Sequence, residues 1–464
     1  MARLITLIFI ATAYLGPERV FGSLVVFHVQ IIIGLIAILV SLPGALKEFN
    51  SPSPQSIALL GLVAAVFLSL VANRWFSGAV NAVDLFLPQV MPFFLVVFNF
   101  KTKRDLQFLI IVLLAVCSFV IYSGYTDLQA NKTDSPYLIA QDNDQGERFY
   151  RLRGETFIGD PNDFAQLLVC LVPLTFLFWT RKKKLQNFLV VYLPIAGLFF
   201  GMYLTHSRGG VIALVALLMV AARKKVGAIP GAIIAGLGFM GVMALGWTGG
   251  RGISVEAGTG RMDAWAEGLQ LIQSHPIFGV GYNRFTEFYY ITAHNTIVVC
   301  AAELGLLGFF FWVLFVVPSF LTSWKIANPI KETAAKMPMG VTNVGPIRLS
   351  QSFSQPPNTE VVLVPEMTEN GASKSISLAE LPRLAQIMVL TLTGFLMAGW
   401  FISRSYVMTL FIFGAITVII FKRALEVGIV SRISFVRLVK MSAGWTVGLL
   451  VLVYVVLRVS NLMR

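Results

Sequence analysis

Hydrophobic segments alternate with polar connections along the whole chain, and this alternation predicts a bundle of membrane-spanning helices. About thirteen such segments are present, several of them short enough to be tilted or half-spanning. They cover roughly Leu4–Leu15, Val20–Leu42, Ile57–Ala72, Leu85–Phe100, Leu106–Ser123, Phe164–Trp179, Leu185–Leu204, Val211–Ala222, Ala228–Trp247, Thr296–Trp324, Leu384–Phe401, Val407–Phe421 and Ala443–Leu457.

The first segment is ambiguous. Arg3, a short apolar run and Ala11-Thr12-Ala13 imitate a signal peptide with its cleavage site, but the run is shorter than usual. We interpret Leu4–Leu15 as a short first span, with a removed signal peptide as the alternative.

The polar intervals divide the chain into seven parts. These are N-terminal transmembrane helices (1–123), an external loop (124–163), central transmembrane helices (164–247), a large external loop with an amphipathic helix (248–295), a transmembrane helix (296–324), a flexible cytoplasmic loop (325–383) and C-terminal transmembrane helices (384–464). The predicted fold class is therefore an all-α polytopic membrane protein with about 12–13 transmembrane helices.

The second external loop is the most informative stretch. Arg261–Ser274 has the period of an amphipathic helix, with one apolar stripe formed by Met262, Trp265, Leu269 and Ile272. Pro276, Gly279 and Gly281 then end the helix before a polar run that starts at Tyr282. A membrane protein that keeps such a polar element between two spans is expected to use it.

Composition agrees with the membrane interpretation. The chain has 464 residues, is 56% hydrophobic and 13% charged, and has a mean hydropathy of +0.77, which excludes an ordinary soluble domain. Its net charge of +13 does not indicate a nucleic-acid partner, because membrane proteins carry Lys and Arg in their cytoplasmic loops. Cys117, Cys170 and Cys300 lie in apolar runs and predict no disulfide framework.

The distribution of basic residues predicts the orientation. One alternating set of connections holds 23 of the 36 Lys and Arg residues, so the positive-inside rule places this set in the cytoplasm. The other set holds 13, of which 12 are Arg, a side chain suited to binding phosphate. Four of these are assigned to interfacial anchoring, namely Arg19, Arg74, Arg404 and Arg458.

Two motifs on the external side precede helices. In Asp160-Pro161-Asn162-Asp163, helix capping is favoured over direct substrate contact, and no third ligand supports a metal site. Ser207-Arg208-Gly209-Gly210 places an arginine where helix-start amides favour an anion, although a glycine-rich turn explains it equally well. Arg261 is expected to open the amphipathic helix, with a solvated first-turn charge as the alternative.

His294 and Glu303 complete the candidate chemistry. An imidazole at the membrane border can exchange a proton near neutral pH, although a lone histidine is more often structural. An acid inside a span is costly and indicates function. If both residues lay on one helix they would be about 13 Å apart along its axis and could not touch. Glu303 is therefore expected to pair with an arginine or to order the bundle.

The order of the motifs resembles the O-antigen ligase and Wzy polymerase superfamily. The resemblance lies in RLRGETFIGDPNDFA, THSRGG, GRMDAWAEGLQLIQSHPIFGVGYNRF and AHNTIVVCAAELGLLG, and it covers about Arg151 to Trp312. It implies a GT-C-like glycosyltransferase of the bacterial inner membrane, with its active site facing the periplasm or exterior. Its donor would be a glycan on undecaprenyl diphosphate, and its acceptor a hydroxyl of a glycan, lipid A core or protein.

The same resemblance implies the site residues. Arg208 and Arg261 match the family's essential arginines and His294 its histidine, so these three are the predicted catalytic residues. The predicted substrate-binding residues are Arg153, which matches more loosely, Asp160, Asn162, Ser207, Tyr282, Asn295 and Glu303. No metal and no cofactor is expected, because arginines can neutralise a diphosphate without a divalent ion.

Two alternatives stay open. A transporter or flippase for lipid-linked glycan would bind without chemistry, but such proteins usually show repeats and broken helices around a midplane site. A scaffold for a secretion machine would leave the external arginines unexplained.

Overall fold

The computed structural model describes residues 1–20, 28–143, 145–244, 247, 255–328 and 375–462. In these parts of the chain the helices are α1 (Ala2–Leu15), α2 (Pro17–Val20), α3 (Val29–Asn50), α4 (Pro54–Ala72), α5 (Phe76–Asn99), α6 (Lys103–Gln129), α7 (Pro161–Thr175), α8 (Lys184–Asn187), α9 (Leu193–Thr205), α10 (Arg208–Val226), α11 (Ala228–Ala244), α12 (Val255–Ser274), α13 (Phe285–Phe288), α14 (Thr296–Ala327), α15 (Leu381–Gly399), α16 (Met408–Glu426) and α17 (Phe435–Leu462). Two strands, β1 (Leu138–Asp142) and β2 (Arg148–Leu152), follow α6. Most of the predicted cytoplasmic loop 325–383 lies outside the described residues.

The fold confirms an all-α polytopic membrane protein. Within the described residues, ten helical segments are long and apolar enough to cross a membrane. The other three predicted segments correspond to the short apolar helix α1, to α10 and to α11. Helix α1 packs against α3, α5 and α6, and buries Ile10 and Tyr14 in the main core.

Helix α14 lies at the centre of the bundle, in contact with α4, α15, α16 and α17. Phe315 of α14 meets Phe411 of α16 edge to face at 5.5 Å, and Phe86 of α5 packs on the same ring of Phe411 at 6.0 Å. Helix α7 is buried on nearly all sides, whereas α3 and α17 expose apolar side chains on the outside of the bundle. A helix that is apolar all round belongs inside such a bundle.

The polar connections gather at two opposite ends, as the alternation of spans requires. At one end Arg3 pairs with Asp105 at 2.8 Å, and Lys422 pairs with the buried Glu48. At the other end the Thr292 hydroxyl donates to the Ser403 hydroxyl at 2.6 Å, and Asp160 lines a cavity together with residues of 282–294 and 402–407. We call this second end the polar end.

The loop 124–163, which is predicted to be external, contains a β-hairpin that the sequence pattern did not predict. Strands β1 and β2 are antiparallel, with Leu138 opposite Leu152. Both leucines are buried against α6, where a Cβ on Gly124 would lie only 2.1 Å from the Leu152 Cδ1 atom. The hairpin is therefore packed on the bundle and carries its arginines to a fixed place.

Helix α14 is broken at Gly305, which has φ 63° and ψ −169°. The break frees backbone groups that pair with the loop after α12: Val280 N–H donates to the Ala302 carbonyl at 2.9 Å, and Leu306 N–H donates to the Pro276 carbonyl at 2.8 Å. The two backbones approach so closely that a Cβ on Gly279 or Gly305 would lie 2.4 Å from backbone atoms of the other. Only glycine fits this contact, which fixes the loop against the span.

Candidate active site

Helix α7 begins with the predicted cap. The Asp160 Oδ1 atom accepts a hydrogen bond from the Asn162 backbone N–H at 2.7 Å, and Pro161 is the first helical residue. Asp160 and Asn162 also line a polar cavity. Capping and a place in the site are thus compatible, because capping engages only one oxygen of Asp160.

Arg151 and Asn162 join the hairpin to two helices. The buried Arg151 guanidinium donates to the Thr205 carbonyl at 2.9 Å and to the Asn162 Oδ1 atom at 3.0 Å. The same Oδ1 atom accepts from the Ser207 hydroxyl at 2.8 Å. These bonds hold the start of α10 beside the start of α7.

Arg208 is the first residue of α10, as predicted. Ser207 is its N-cap, and the Ser207 Oγ atom accepts from the Gly210 N–H at 3.2 Å. A Cβ on Gly210 would lie 2.9 Å from the Ala165 Cβ atom, so a glycine permits the close approach of α10 to α7. The Arg208 charge acts on its surroundings, since it helps to lower the pKa values of Arg151 and Arg261.

Arg261 does not open a helix, contrary to the sequence prediction. Helix α12 begins at Val255 and includes Gly258 and Gly260, so Arg261 lies in its second turn. Its backbone amide is therefore not one of the free helix-start donors. Its pKa is lowered first by burial and then by the nearby Arg208 charge.

Three arginines are thus brought together at the polar end. Burial, partly offset by Asp160 and reinforced by Arg208, lowers the pKa of Arg151 to about 10, so the Arg151 guanidinium stays protonated at neutral pH. Like charges close together in a partly buried place repel one another, and a bound anion would offset this repulsion. The arrangement is therefore suited to an anionic group such as a phosphate.

His294 lies beside this cluster, in left-handed backbone conformation with φ 47°. The preceding Ala293 carbonyl accepts from the Trp265 indole N–H at 2.8 Å, which ties the segment to α12. Burial, and then the Arg261 charge, lower the pKa of His294 below its ordinary value, against an opposing effect of Asp160. A neutral imidazole at neutral pH can accept a proton.

Asn295, a predicted substrate-binding residue, is the N-cap of α14. Its Oδ1 atom accepts from the Ile297 and Val298 N–H groups at 2.9 and 3.2 Å, and its amide donates to the Trp400 carbonyl at 3.3 Å. It is fully buried, and it is not among the described residues that line the cavity. Asn295 therefore positions His294 by fixing the helix that follows.

A polar cavity of about 290 Å³ opens next to His294. The start of α7, the loop before α14, helix α14 itself and the loop 402–407 contribute side chains to it, and a further residue comes from α5. The polar and charged side chains are Gln89, Asp160, Asn162, Asp163, Tyr282, Asn283, Thr286, Thr292, His294, Glu303, Ser403, Arg404, Ser405 and Tyr406.

Arg404 belongs to this cavity, and its assignment to interfacial anchoring is wrong. Its Nε atom lies 2.6 Å from the Oδ2 atom of Asp163, whose side chain is only 3% exposed. The loop that carries Arg404 is fixed to α14, because its backbone N–H donates to the Thr296 hydroxyl at 3.3 Å and the Ser405 hydroxyl donates to the Thr296 carbonyl at 2.7 Å. The short polar turn between two spans gave no signal for this pairing.

Glu303 and His294 line the same cavity, and His294 precedes the helix that carries Glu303. The expectation that the two side chains do not touch stays a prediction. Glu303 accepts a hydrogen bond from the Phe285 N–H at 3.4 Å, and it has no arginine partner among the residues that the structure describes. It therefore holds the loop at Phe285 against α14, and its role in ordering the bundle stays a prediction.

Tyr282 also lines the cavity, as predicted for a binding residue. Its hydroxyl accepts from the Gln89 amide at 3.4 Å, and its ring contacts Tyr406 at 5.3 Å. Burial, and then the nearby Glu303, raise the pKa of Tyr282 to about 12, so the phenol stays protonated.

Arg153, the hairpin arginine singled out from the sequence, lies elsewhere. Its Nε atom donates to the Pro136 carbonyl at 3.1 Å. Arg151 is the arginine of this motif that feels the Arg208 charge, and a role of Arg153 in substrate binding stays a prediction. Both arginines occur in one short motif with the same alternation along a strand, so sequence alone did not distinguish them.

In the described ranges, no group of three or more His, Cys, Asp or Glu side chains could hold a metal ion. That the activity does not require a metal ion stays a prediction.

The fold and this site define a class of protein, namely a polytopic helical membrane protein with a cationic, partly buried polar site at one end. Residues 193–313 match the family described as O-Antigen ligase. The match includes Arg208, Arg261 and His294, and it confirms the resemblance found in the sequence. No curated protein matches the chain. The family supports a ligase- or polymerase-like function in the synthesis of polysaccharide.

Proposed function

We propose that this protein transfers glycan from undecaprenyl diphosphate to an acceptor hydroxyl on the extracytoplasmic face of the bacterial inner membrane. The observation that carries the proposal is that Arg208 at the start of α10, Arg261 in α12 and His294 before α14 are held at one end of the bundle: the Trp265 indole of α12 donates to the Ala293 carbonyl at 2.8 Å, and the Ser207 hydroxyl donates at 2.8 Å to Asn162, which lines the cavity together with His294. It combines an anion-binding cluster with a neutral imidazole, the two groups that such a transfer needs.

The reaction assigns a role to each group. The acceptor oxygen attacks the anomeric carbon of the donor, the bond from that carbon to the phosphate oxygen breaks, and the lipid diphosphate leaves with the bonding electrons. His294 takes the acceptor proton, which is typically worth about 10²–10⁴-fold in rate. Arg208 and Arg261, supported by Arg151, neutralise the charge that develops on the leaving diphosphate.

The amphipathic helix α12 suits a lipid-linked donor. Trp265 and Leu271 are buried towards the bundle, whereas Asp263 and Gln270 are exposed. A helix of this kind at the membrane interface can present Arg261 to the head of a lipid.

The test is reconstitution of the purified chain in vesicles with undecaprenyl-diphosphate-linked glycan and a hydroxyl acceptor, without ATP and in excess EDTA. We expect glycosylated acceptor and free undecaprenyl diphosphate, both measured by mass spectrometry. His294→Ala should lose at least about a hundredfold in rate while it keeps the melting temperature of the parent protein.

Two results would oppose the proposal. Activity that is lost in EDTA and restored by Mg²⁺ or Mn²⁺ would indicate a metal site around Asp160 and Asp163 in place of the arginine cluster. Movement of the donor across the vesicle without product would favour the transporter.

A further inference from the structure

The cavity beside His294 contains polar groups that the proposed reaction does not use. The Asp163 Oδ1 atom is buried and makes no hydrogen bond within the described chain, and only the Oδ2 atom of this carboxylate lies against Arg404. Buried polar groups in native proteins almost always have partners, so this atom indicates a polar ligand. The buried Tyr406 hydroxyl lies beside Glu303 and Cys300 and lines the same cavity, where it can contact such a ligand as well.

The other lining groups suit a ligand rich in hydroxyl groups. Gln89, Thr286, Thr292 and Ser403 offer amide and hydroxyl groups, and Tyr282 adds an aromatic ring. A cavity of about 290 Å³ lies near the lower end of the range of roughly 300–1,000 Å³ that small-molecule pockets occupy, which suits a ligand of the size of one sugar ring.

The charges of the cavity favour a neutral sugar. Glu303 has no basic partner among the described side chains, and the Arg404 charge is already matched by Asp163. A uronic acid placed here would bring its carboxylate near Glu303 without a free cation to balance it. Like charges brought together in an interface disfavour the wrong partner.

The position of His294 indicates which sugar this is. His294 lines the cavity and also feels the Arg261 charge, whereas neither Arg208 nor Arg261 is among the described lining residues. The diphosphate and the cavity ligand would therefore meet at the imidazole from different directions. We propose that the cavity binds the neutral, hydroxyl-rich sugar residue that bears the acceptor hydroxyl, with Glu303, Asp163 and Tyr406 as its binding groups. This inference rests on the proposed function for the acceptor role.

The first test needs no donor. Binding to the purified full chain is measured by calorimetry for gluco-, galacto- and manno-terminated disaccharides, each paired with its uronic-acid counterpart. We expect at least one neutral sugar to bind, and its uronate to bind at least about tenfold more weakly. Glu303→Gln should weaken the binding of the neutral sugar. It should also reduce the difference in affinity between the neutral sugar and its uronate.

Glutamine keeps a carbonyl that can accept from the Phe285 N–H, so this variant should fold. Tyr406→Phe is a second variant, which removes one hydroxyl. It should weaken the binding of the neutral sugar and leave the binding of the uronate unchanged. The matched control is Glu287→Gln, a carboxylate at the same end that pairs with Arg284 at 2.6 Å and is not among the described lining residues. This control should leave the binding of both ligands unchanged.

The inference is wrong if no neutral sugar in the panel binds, or if Glu303→Gln and Tyr406→Phe bind as the parent protein does. The second measurement is the KM of transfer, which should rise in both variants for the acceptor and not for the donor. A rise for the donor alone would assign the cavity to the donor sugar and overturn the acceptor role. If the parent protein transfers glycan but the variants bind the acceptor sugar unchanged, the proposed function stands and this inference is wrong. If the parent protein binds the sugar but transfers no glycan, the proposed function is refuted and the sugar site stands.

Discussion

The arginine pair can be distinguished from a simple excess of positive charge. A guanidinium donates two parallel hydrogen bonds to phosphate oxygens, whereas an ammonium is a point charge. We therefore expect Arg208→Lys and Arg261→Lys each to lose most of the transfer rate at saturating donor. The control is Arg148→Lys, on the exposed hairpin, where the side chain is 68% exposed and pairs loosely with Asp142. Normal rates in both lysine variants would show that diphosphate geometry is not recognised by these residues.

His294 predicts the pH dependence of the reaction. Burial and the Arg261 charge lower its pKa, so the base is neutral at neutral pH and the rate should fall only on acidification below the ordinary histidine range. Asp160 opposes this shift. Asp160→Asn, which keeps a good N-cap, should therefore move the acidic limb of the pH–rate profile to lower pH. An unchanged limb in this variant, with Asp142→Asn as control, would mean that another group titrates.

Arg404 matters because of the acid that it neutralises. Arg404→Gln leaves the buried Asp163 carboxylate without its cation, at a cost of about 1–3 kcal/mol, and should lower the melting temperature. Asp163→Asn in the same chain should restore part of that loss, as a double-mutant cycle would show. If the two losses are merely additive, the ion pair does not stabilise the fold.

At the scale of elements, the contact of the α12–α13 loop with the broken helix α14 depends on glycine. Gly305→Ala would place a side chain in a backbone region that is essentially restricted to glycine, at about 1–3 kcal/mol, and bring its Cβ to 2.4 Å from the Ile277 carbonyl. We expect a lower melting temperature and loss of activity. Gly197→Ala, a helical position with open space around it, should be neutral or slightly stabilising. A stable, active Gly305→Ala protein would contradict the described contact.

The helices could be predicted because length and hydropathy alone identify a membrane span. The residues at which the helices begin and end were harder to predict. The start of α12 lies in a glycine-containing stretch that resembles a loop, and tertiary packing extends the helix back to Val255. The hairpin at 138–152 was not predicted for a similar reason. Each of its strands has only five residues, and their packing against α6, not a local sequence pattern, determines that they form.

The site was only partly accessible from sequence. Arg208, His294 and the Asp160 cap stood out because helix starts and membrane borders have local signatures. Arg404 and Gln89 did not, because their partners lie far away in sequence. His294 and Glu303 line one cavity, and no local pattern predicts the left-handed conformation of His294 just before the helix.

At the scale of the whole molecule, the polar end is built from segments that are distant in sequence and fixed to one another by hydrogen bonds. The Asn73 amide donates to the Gly279 carbonyl at 2.9 Å, and the Thr292 hydroxyl donates to the Ser403 hydroxyl at 2.6 Å. The basic connections, by contrast, meet at the opposite end. The two ends therefore differ in chemistry as well as in position, which makes the orientation of the chain decisive for function.

The orientation of the chain in the membrane can be tested directly. The positive-inside rule places the Lys-rich end in the cytoplasm and the polar end outside, where a donor carried by undecaprenyl diphosphate would be presented. Reporters fused after Lys184 or within 340–370 should give a cytoplasmic signal, and reporters near Asn143 or Gly258 an external one. A fusion after Lys422 serves as the internal control, because Lys422 pairs with Glu48 at the predicted cytoplasmic end. The opposite pattern would place Arg208, Arg261 and His294 in the cytoplasm, facing nucleotide sugars, and the proposed donor would be wrong.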